Sequence, residues 1–345
     1  MFSRLIEKLQ RRQDLTREEA AAAMEAIMEG RAQPAQIAGL LVGLSMKGER
    51  PDEIVGLAQT MRSRATRLAR DHGPVFDTCG TGGDRAETFN VSTVAALVLA
   101  ACGVRVAKHG NRSVSSKCGS ADLFEALGVH ISADPATVER CLDEAGIAFL
   151  FAPTFHPSMR HAALVRRELG VRTAFNLLGP LTNPAGATRQ LVGVPRPEFT
   201  ELMARALMLL GTTRAWVVHG ADGIDELTTT GYTKISECRA GAVNTFYLHP
   251  SDVGLPKAPP GSLQGGDAQE NARIIESVLS GARGAARDVV LLNSGAALFI
   301  AGAAASVEEG ILKASRAIDG GDAKRTLERL VSISTAEESA AGAGV

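Results

Sequence analysis

The sequence predicts an α/β protein: a small all-helical N-terminal unit, then a larger unit built on a mostly parallel central sheet. Two observations carry this. Apolar residues recur at three- and four-residue intervals from Leu5 to about Leu68. After Asp71-His72-Gly73-Pro74, short β-prone runs begin to alternate with helical segments, as in a parallel α/β sheet. The boundary therefore falls near residue 70, dividing the chain into residues 1–70 and 71–345.

Four packed helices are expected in the first unit. Leu5, Ile6 and Leu9 mark one apolar stripe, and Ile37, Leu40, Leu41 and Leu44 another. Thr16 with Glu19 fits a capping box, Gly30 a stop, and Pro34 and Pro51 each sit where a new helix would begin. In the second unit, strands are expected near 75–78, 104–108, 148–151, 190–194, 214–219, 233–237 and 242–248. Only Cys238-Arg239-Ala240-Gly241 separates the last two, which read as an antiparallel hairpin at a sheet edge. The proline-rich segment 248–267 suits a surface connection. Helices then return from about Asp267 to the region of Leu330, and residues 336–345 have too little to bury and are expected to fray.

Composition narrows the function classes. With 345 residues, 45% apolar residues and a formal net charge of -1, the chain has no global field that would draw nucleic acid or an anionic membrane. Its five cysteines are scattered without a CxxC pair, which reads as a reducing compartment. Charges interrupt the N-terminal residues Met1 to Lys8, and no apolar run reaches the roughly 18–20 residues of a membrane span. Cytoplasmic residence, with neither nucleic-acid nor membrane partners, is the expectation.

Two loops suggest phosphate binding. The run Cys79-Gly80-Thr81-Gly82-Gly83-Asp84 follows an expected strand and leads toward a helix starting near Asn90-Val91-Ser92-Thr93. Backbone amides approach an anion closely where Cβ is absent, and a helix N-terminus adds about half a positive charge. A plain tight turn is the competing reading, and neither the P-loop nor the dinucleotide fingerprint fits. Asn90, Ser92 and Thr93 place three short polar side chains where simple capping would use one. The second loop runs from Lys108-His109-Gly110-Asn111-Arg112-Ser113 through Val114, Ser115 and Ser116 to Ser120. It combines three cationic residues with small hydrogen-bonding groups, which suits a pyrophosphate better than an ordinary solvated loop.

Asp225 and Glu226 place adjacent carboxylates beyond the strand ending at His219. Magnesium often joins such a pair to substrate phosphates, although exposed acids are commonly just solvated surface. Arg166 and Arg167 are adjacent on a helix and point about 100° apart, so one can face a site while the other makes a surface ion pair. His109 and His156 share no metal-ligand spacing.

In combination, Cys-Gly-Thr-Gly-Gly-Asp at 79–84, Asn-Val-Ser-Thr at 90–93, Lys-His-Gly-Asn-Arg at 108–112 and Asn-Leu-Leu-Gly-Pro-Leu-Thr-Asn-Pro at 176–184 closely resemble the anthranilate phosphoribosyltransferase family. The resemblance covers nearly the whole chain and includes Asp225-Glu226. It implies transfer of the phosphoribosyl group of phosphoribosyl pyrophosphate (PRPP) to anthranilate, the second step from chorismate toward tryptophan. It further implies a helical domain, joined by helical residues near 170–187, hinged on the α/β domain, and a homodimer formed through the helical domain. PRPP would meet Gly80, Gly83, Asp84, Thr88, Asn90, Val91, Ser92, Thr93, Lys108, His109, Gly110, Asn111, Arg112, Ser113, Val114, Ser115, Ser116 and Ser120. Anthranilate would lie near Gly80, His109, Asn111, His156, Arg166 and Gly179, with Lys108, Asn111 and Arg166 expected to act on the reaction itself. Ser92, Asp225 and Glu226 would hold magnesium, two ions per protomer with one brought by the pyrophosphate. Cys118 and Leu123-Phe124 depart from the family pattern and bear on packing of the helix near 120–128. Two alternatives share the likeness: a pyrimidine-nucleoside phosphorylase, against which Asn176–Pro184 and the Asp225-Glu226 pair argue, and a nucleic-acid-binding relative, against which the near-neutral charge argues.

Overall fold

The structure, a computed structural model, describes residues 1–83, 88–113 and 117–342, with side chains to residue 336. Asp84, Val114, Ser115 and Ser116 lie outside the described residues.

Helices α1 (Phe2–Gln10), α2 (Arg17–Met28), α3 (Pro34–Lys47) and α4 (Pro51–Ser63) form the N-terminal bundle. Thr16 Oγ1 accepts from the Glu19 amide while the Glu19 carboxylate accepts from the Thr16 amide, so the capping box closes as expected. Pro34 and Pro51 occupy first-turn positions, where a missing N–H costs nothing.

The α/β unit then alternates through β1 (Phe76–Gly80), α5 (Val91–Ala101), β2 (Val106–Gly110), α6 (Ser120–Ala126), α7 (Pro135–Arg140), β3 (Ile147–Phe151), α8 (Ala152–Phe155), α9 (Arg160–Leu169), α10 (Phe175–Leu178), β4 (Arg189–Gly193), α11 (Phe199–Leu209), β5 (Arg214–Gly220), β6 (Thr233–Arg239) and β7 (Ala242–Leu248). Four further helices follow: α12 (Ala268–Leu279), α13 (Ala285–Ala301), α14 (Val307–Asp319) and α15 (Asp322–Gly342). The described strands lie in the order β3-β2-β1-β4-β5-β6-β7. The pairs from β3 to β5 are parallel, and β6 and β7 are antiparallel at one edge. Chain order reverses direction at β1, so the carboxyl ends of β1 and its neighbours form the switch-point crevice where such sheets bind ligands. Helix α5 is apolar all round because it is buried between this sheet and α13.

Several boundaries differ from the sequence-based expectation. β2 starts at Val106, not 104, and runs to Gly110, because its residues pair one for one with Ile147–Phe151. Lys108 and His109 are therefore strand residues fixed in a ladder, and the basic loop begins after them. The hairpin strands extend to Arg239 and from Ala242, leaving only Ala240 (φ 50°) and Gly241 (φ 77°) in the turn. Two left-handed residues there match a tight turn suited to the strand twist. The segment 248–267 is more than a surface connection: Val253, Leu255, Ala258 and Leu263 are buried, and Gln264 bridges to Thr88. Helix α15 continues to Gly342 instead of fraying from 336, and Ser334 Oγ anchors it by accepting from the His130 amide at 3.1 Å. Residues 343–345 lie outside the described residues. Near 170–187 only short turns are helical, and the longer contact with the bundle is α9, whose Ala162 and Val165 join the cluster of Ile27, Leu40 and Ile54.

Two apolar clusters result. One fills the sheet face against α5, α6 and α12 to α15; the other runs from the bundle through Phe175, Leu178 and Leu207 onto Val192 and Val217 on the other face.

Candidate active site

Loops from the carboxyl ends of β1, β2 and β5 enclose one cavity of about 610 Å³ together with residues of α8 to α10. Gly80, Gly83, Thr88, Asn90, Ser92, Lys108, His109, Gly110, Asn111, Arg112, Ser113, Ser120, His156, Arg166, Gly179, Asp225 and Glu226 all line it. Val91 and Thr93 do not: both are fully buried, Val91 within the sheet-face cluster. Both belong to the first turn of helix α5, where the chain offers backbone amides to a ligand.

The glycine loop is held by a carboxylate and a guanidinium. Asp225 Oδ2 accepts from the Gly82 amide at 3.0 Å, and the Thr81 amide donates to the Gly193 carbonyl at 2.9 Å. Asp225 reaches the loop only because Gly80 and Gly193 lack side chains. A Cβ on Gly80 would lie 2.4 Å from Asp225 Oδ2, and one on Gly193 would lie 1.5 Å from the Asp225 carbonyl oxygen. Gly82 and Gly83 adopt φ of 64° and 76°, the left-handed region. From the other side Arg172 Nη1 donates to the Gly82 carbonyl at 2.5 Å.

Glu226 Oε1 accepts from the Ser92 amide at 3.0 Å, so it caps α5 in place of a local side chain. Asn90 instead ties three segments together, donating to the Cys118 carbonyl at 3.2 Å and accepting from Asn271 Nδ2 at 3.1 Å. Lys108 is 1% exposed and its ammonium donates to the Thr78 carbonyl and, at 3.2 Å, to Ser92 Oγ. Burial lowers its pKa, opposed by the attraction of Asp77. Burial likewise raises the Asp77 carboxyl above the usual range, opposed by Lys108 and by hydrogen bonds from Asn183 Nδ2 (2.8 Å) and the His109 amide (3.2 Å). Arg112 is committed locally: it forks onto Glu125 at 2.8 and 2.9 Å and reaches Asp122 at 2.9 Å. Asp122 also accepts from the Ser113 and Gly119 amides, closing the loop. Leu123 and Phe124 are fully buried, so the departures there fill the core, while the Cys118 thiol, pushed up to about 11 by burial, lines the cavity unionised.

Farther along the same cavity lies a different environment. Arg166 is half-buried above the Phe175 ring at 5.9 Å, and burial lowers its pKa. Among the described residues no carboxylate pairs with it, whereas Arg167 beside it is exposed. His109 Nδ1 lies 3.1 Å from the Gly179 carbonyl and His156 Nε2 lies 3.0 Å from the Thr182 carbonyl. A carbonyl only accepts, so those nitrogens carry the protons. His109 Nε2 and His156 Nδ1 are then acceptors, and both are buried without a partner among the described residues. Burial, with His156 nearby, pushes His109 down to about 3, and burial pushes His156 down to about 4, so both rings are neutral near pH 7.

Sequence reasoning missed Arg172, Gly193, Asp77, Asn183 and Asn271. Asp77 stood next to the glycine loop and was readable as a buried strand acid. Asn183 lies within the recognisable run 176–184, whereas Arg172, Gly193 and Asn271 act across the fold.

A helical bundle beside a mostly parallel sheet, with glycine-rich and basic loops at the carboxyl ends of its inner strands, is the architecture of a glycosyl transferase family that this chain matches. The description "Glycosyl transferase family, helical bundle domain" matches residues 3–65, and "Glycosyl transferase family, a/b domain" matches residues 72–324. The chain belongs within it to the anthranilate phosphoribosyltransferase family. It is 55% identical to the anthranilate phosphoribosyltransferase of Moorella thermoacetica over 96% of this chain and 98% of that protein. The crystal structure of the Thermus thermophilus enzyme superposes with a TM-score of 0.90 at 48% identity, covering 96% of this chain and 99% of that one. The Saccharomyces cerevisiae enzyme in complex with PRPP and Mg superposes at 0.89 with 27% identity, covering 97% and 98%.

Proposed function

We infer that the protein transfers the phosphoribosyl group of PRPP to the amine of anthranilate, giving N-(5-phosphoribosyl)anthranilate and pyrophosphate, a step of tryptophan biosynthesis. The observation that carries this is one cavity with two unlike ends: glycine loop, Lys108 and a carboxylate pair at one, and at the other Arg166, without a counter-ion among the described residues. The likeness to named transferases over nearly the full length supports the same reading.

Cleavage of the bond from ribose C1 to pyrophosphate builds positive charge on the sugar and negative charge on the leaving group. Lys108 and the loop amides are the groups placed to meet the negative charge, an electrostatic role commonly worth several kcal/mol. The guanidinium of Arg166 suits the planar carboxylate of anthranilate. The acceptors His109 Nε2 and His156 Nδ1 suit its amine protons, and positioning a weakly basic aromatic amine needs no strong base. Asn111, exposed at the loop start, lines the same cavity and is available to either substrate.

Magnesium fits the donors present, since Asp225, Glu226 and Ser92 offer only hard oxygens and converge on the glycine loop and the start of α5. Bound there, it would neutralise charge on the departing pyrophosphate. Two ions per protomer, one entering with the donor, match a site with so few protein carboxylates. Closure of the bundle toward the sheet would exclude water from the activated sugar. A homodimer through the bundle is supported by the family likeness and by Met46, 77% exposed on α3. Five free cysteines support a reducing, cytoplasmic setting.

The direct test follows anthranilate fluorescence with PRPP and magnesium, omitting each in turn. Loss should require all three, and loss without PRPP would refute the assignment. Asp225→Asn with Glu226→Gln should raise the magnesium concentration for half-maximal rate at least about ten-fold, and an unchanged requirement removes their metal role.

A further inference from the structure

The elbow between α12 and α13 encloses a second cavity, of about 350 Å³, that shares no lining residue with the substrate cavity. Arg273, Arg283 and Arg287 line it with Ser277 above an apolar floor of Ile274 and Val278. Arg287 is only 1% exposed. Its Nη2 donates to Ser315 Oγ at 2.9 Å and meets Asp319 Oδ1 at 2.8 Å, whereas Nε and Nη1 are buried with no partner among the described residues. Buried donors on a charged group are seldom left so. The start of α13 adds a second attraction, because its N-cap is Gly284 and no side chain caps the first amides. The acidic groups nearby are Asp319, which also lies 3.7 Å from Arg283, and Asp288 in the first turn of α13. Three arginines thus line the cavity, with two carboxylates beside it.

We propose that this elbow binds a phosphate group, with Arg287 as its buried anchor and Arg273 and Arg283 closing over it. A tetrahedral dianion has enough oxygens and charge to engage three forks and a helix start, whereas a lone carboxylate has two oxygens and one charge. The helices around the elbow also touch the substrate site. Asn271 of α12 donates to Asn90, and Asn293 of α13 accepts from the Leu227 amide at 3.1 Å, one residue beyond Glu226.

Equilibrium dialysis of the full chain against radiolabelled inorganic phosphate at constant ionic strength tests this. With PRPP and magnesium saturating the substrate cavity, the wild type should show one class of phosphate site that Arg273→Ala with Arg283→Ala weakens at least about ten-fold, while KM for PRPP in phosphate-free buffer is unchanged. Both residues are exposed, so the double variant should fold, and Arg287→Met should abolish the site if it folds as well. Competition by glycerol phosphate would identify a phosphomonoester as the source, and competition by phosphate alone the free ion. Equal phosphate stoichiometry and affinity in wild type and double variant would overturn the proposal, as would displacement by equimolar acetate.

Discussion

Arg166 brings a guanidinium to the cavity with no carboxylate against it among the described residues, so its removal should act on one substrate only. Arg166→Ala is expected to raise KM for anthranilate by about 10- to 100-fold, the usual cost of a lost charge-assisted pair, with KM for PRPP within about two-fold. Steady-state kinetics with each substrate varied would show this, and equal effects on both would remove Arg166 from the acceptor end. The two imidazoles make a prediction about acid. Both have folded pKa values, about 3 for His109 and about 4 for His156, below the unfolded value near 6.5. Between those limits the unfolded chain takes up protons that the folded chain refuses. Their contribution is therefore intact above about pH 6.5 and is lost on acidification, by about 1.4 kcal/mol per pH unit for each ring. Urea unfolding of wild type and His109→Asn at pH 7 and pH 5 should show a smaller drop for the variant, and identical drops would contradict the assigned burial. Over pH 6–8 neither ring should appear in the profile of kcat/KM.

At the scale of elements, the residues proposed to hold metal and phosphate are brought together by strand ends. β1 and β4 run side by side to Gly80 and Gly193, and the loop after β5 folds back over both to bring Asp225 to the glycine loop. Gly193→Ala would force the Asp225 backbone away. The expected result is a kcat reduced about 10²-fold or more, with a raised magnesium requirement and secondary structure retained by circular dichroism. A fully active variant would show that Asp225 need not sit where it does. Strands and helices were readable because their period and caps are local: the Thr16 box, the proline starts and the hairpin all appear where the pattern put them. The ends of β2 and α15 were not, because a partner strand and the Ser334 anchor decide them. The site divides the same way. Lys108, Ser92, Asp225 and Glu226 sit in recognisable runs, but Gly193 contributes space and Arg172 contributes reach from a distant turn, and neither leaves a pattern in the chain.

For the molecule as a whole, the bundle is not a self-sufficient unit. Its cluster of Leu5, Ile27, Leu40 and Ile54 continues through Val165, Phe175 and Leu178 to Met203, Leu207 and Val217. A fragment of residues 1–65 would expose that seam, and we expect it to show little cooperative unfolding by circular dichroism while the full chain melts in one calorimetric transition. A sharply melting fragment would refute this. The fold class was legible because the texture of the sequence changes once, near residue 71, whereas the seam depends on which faces meet.

Glu226 would have a double attachment if it holds magnesium as proposed. The carboxylate assigned to magnesium also holds the first turn of α5, a helix at the centre of the main core. If the cation binds there, its supply and that of the donor become part of what keeps the protein closed to proteases, since ligands that bind only the native state deplete the opened one. A cell short of either would then carry a shorter-lived enzyme, and the amount of catalyst would follow the supply of its substrate without any dedicated sensor.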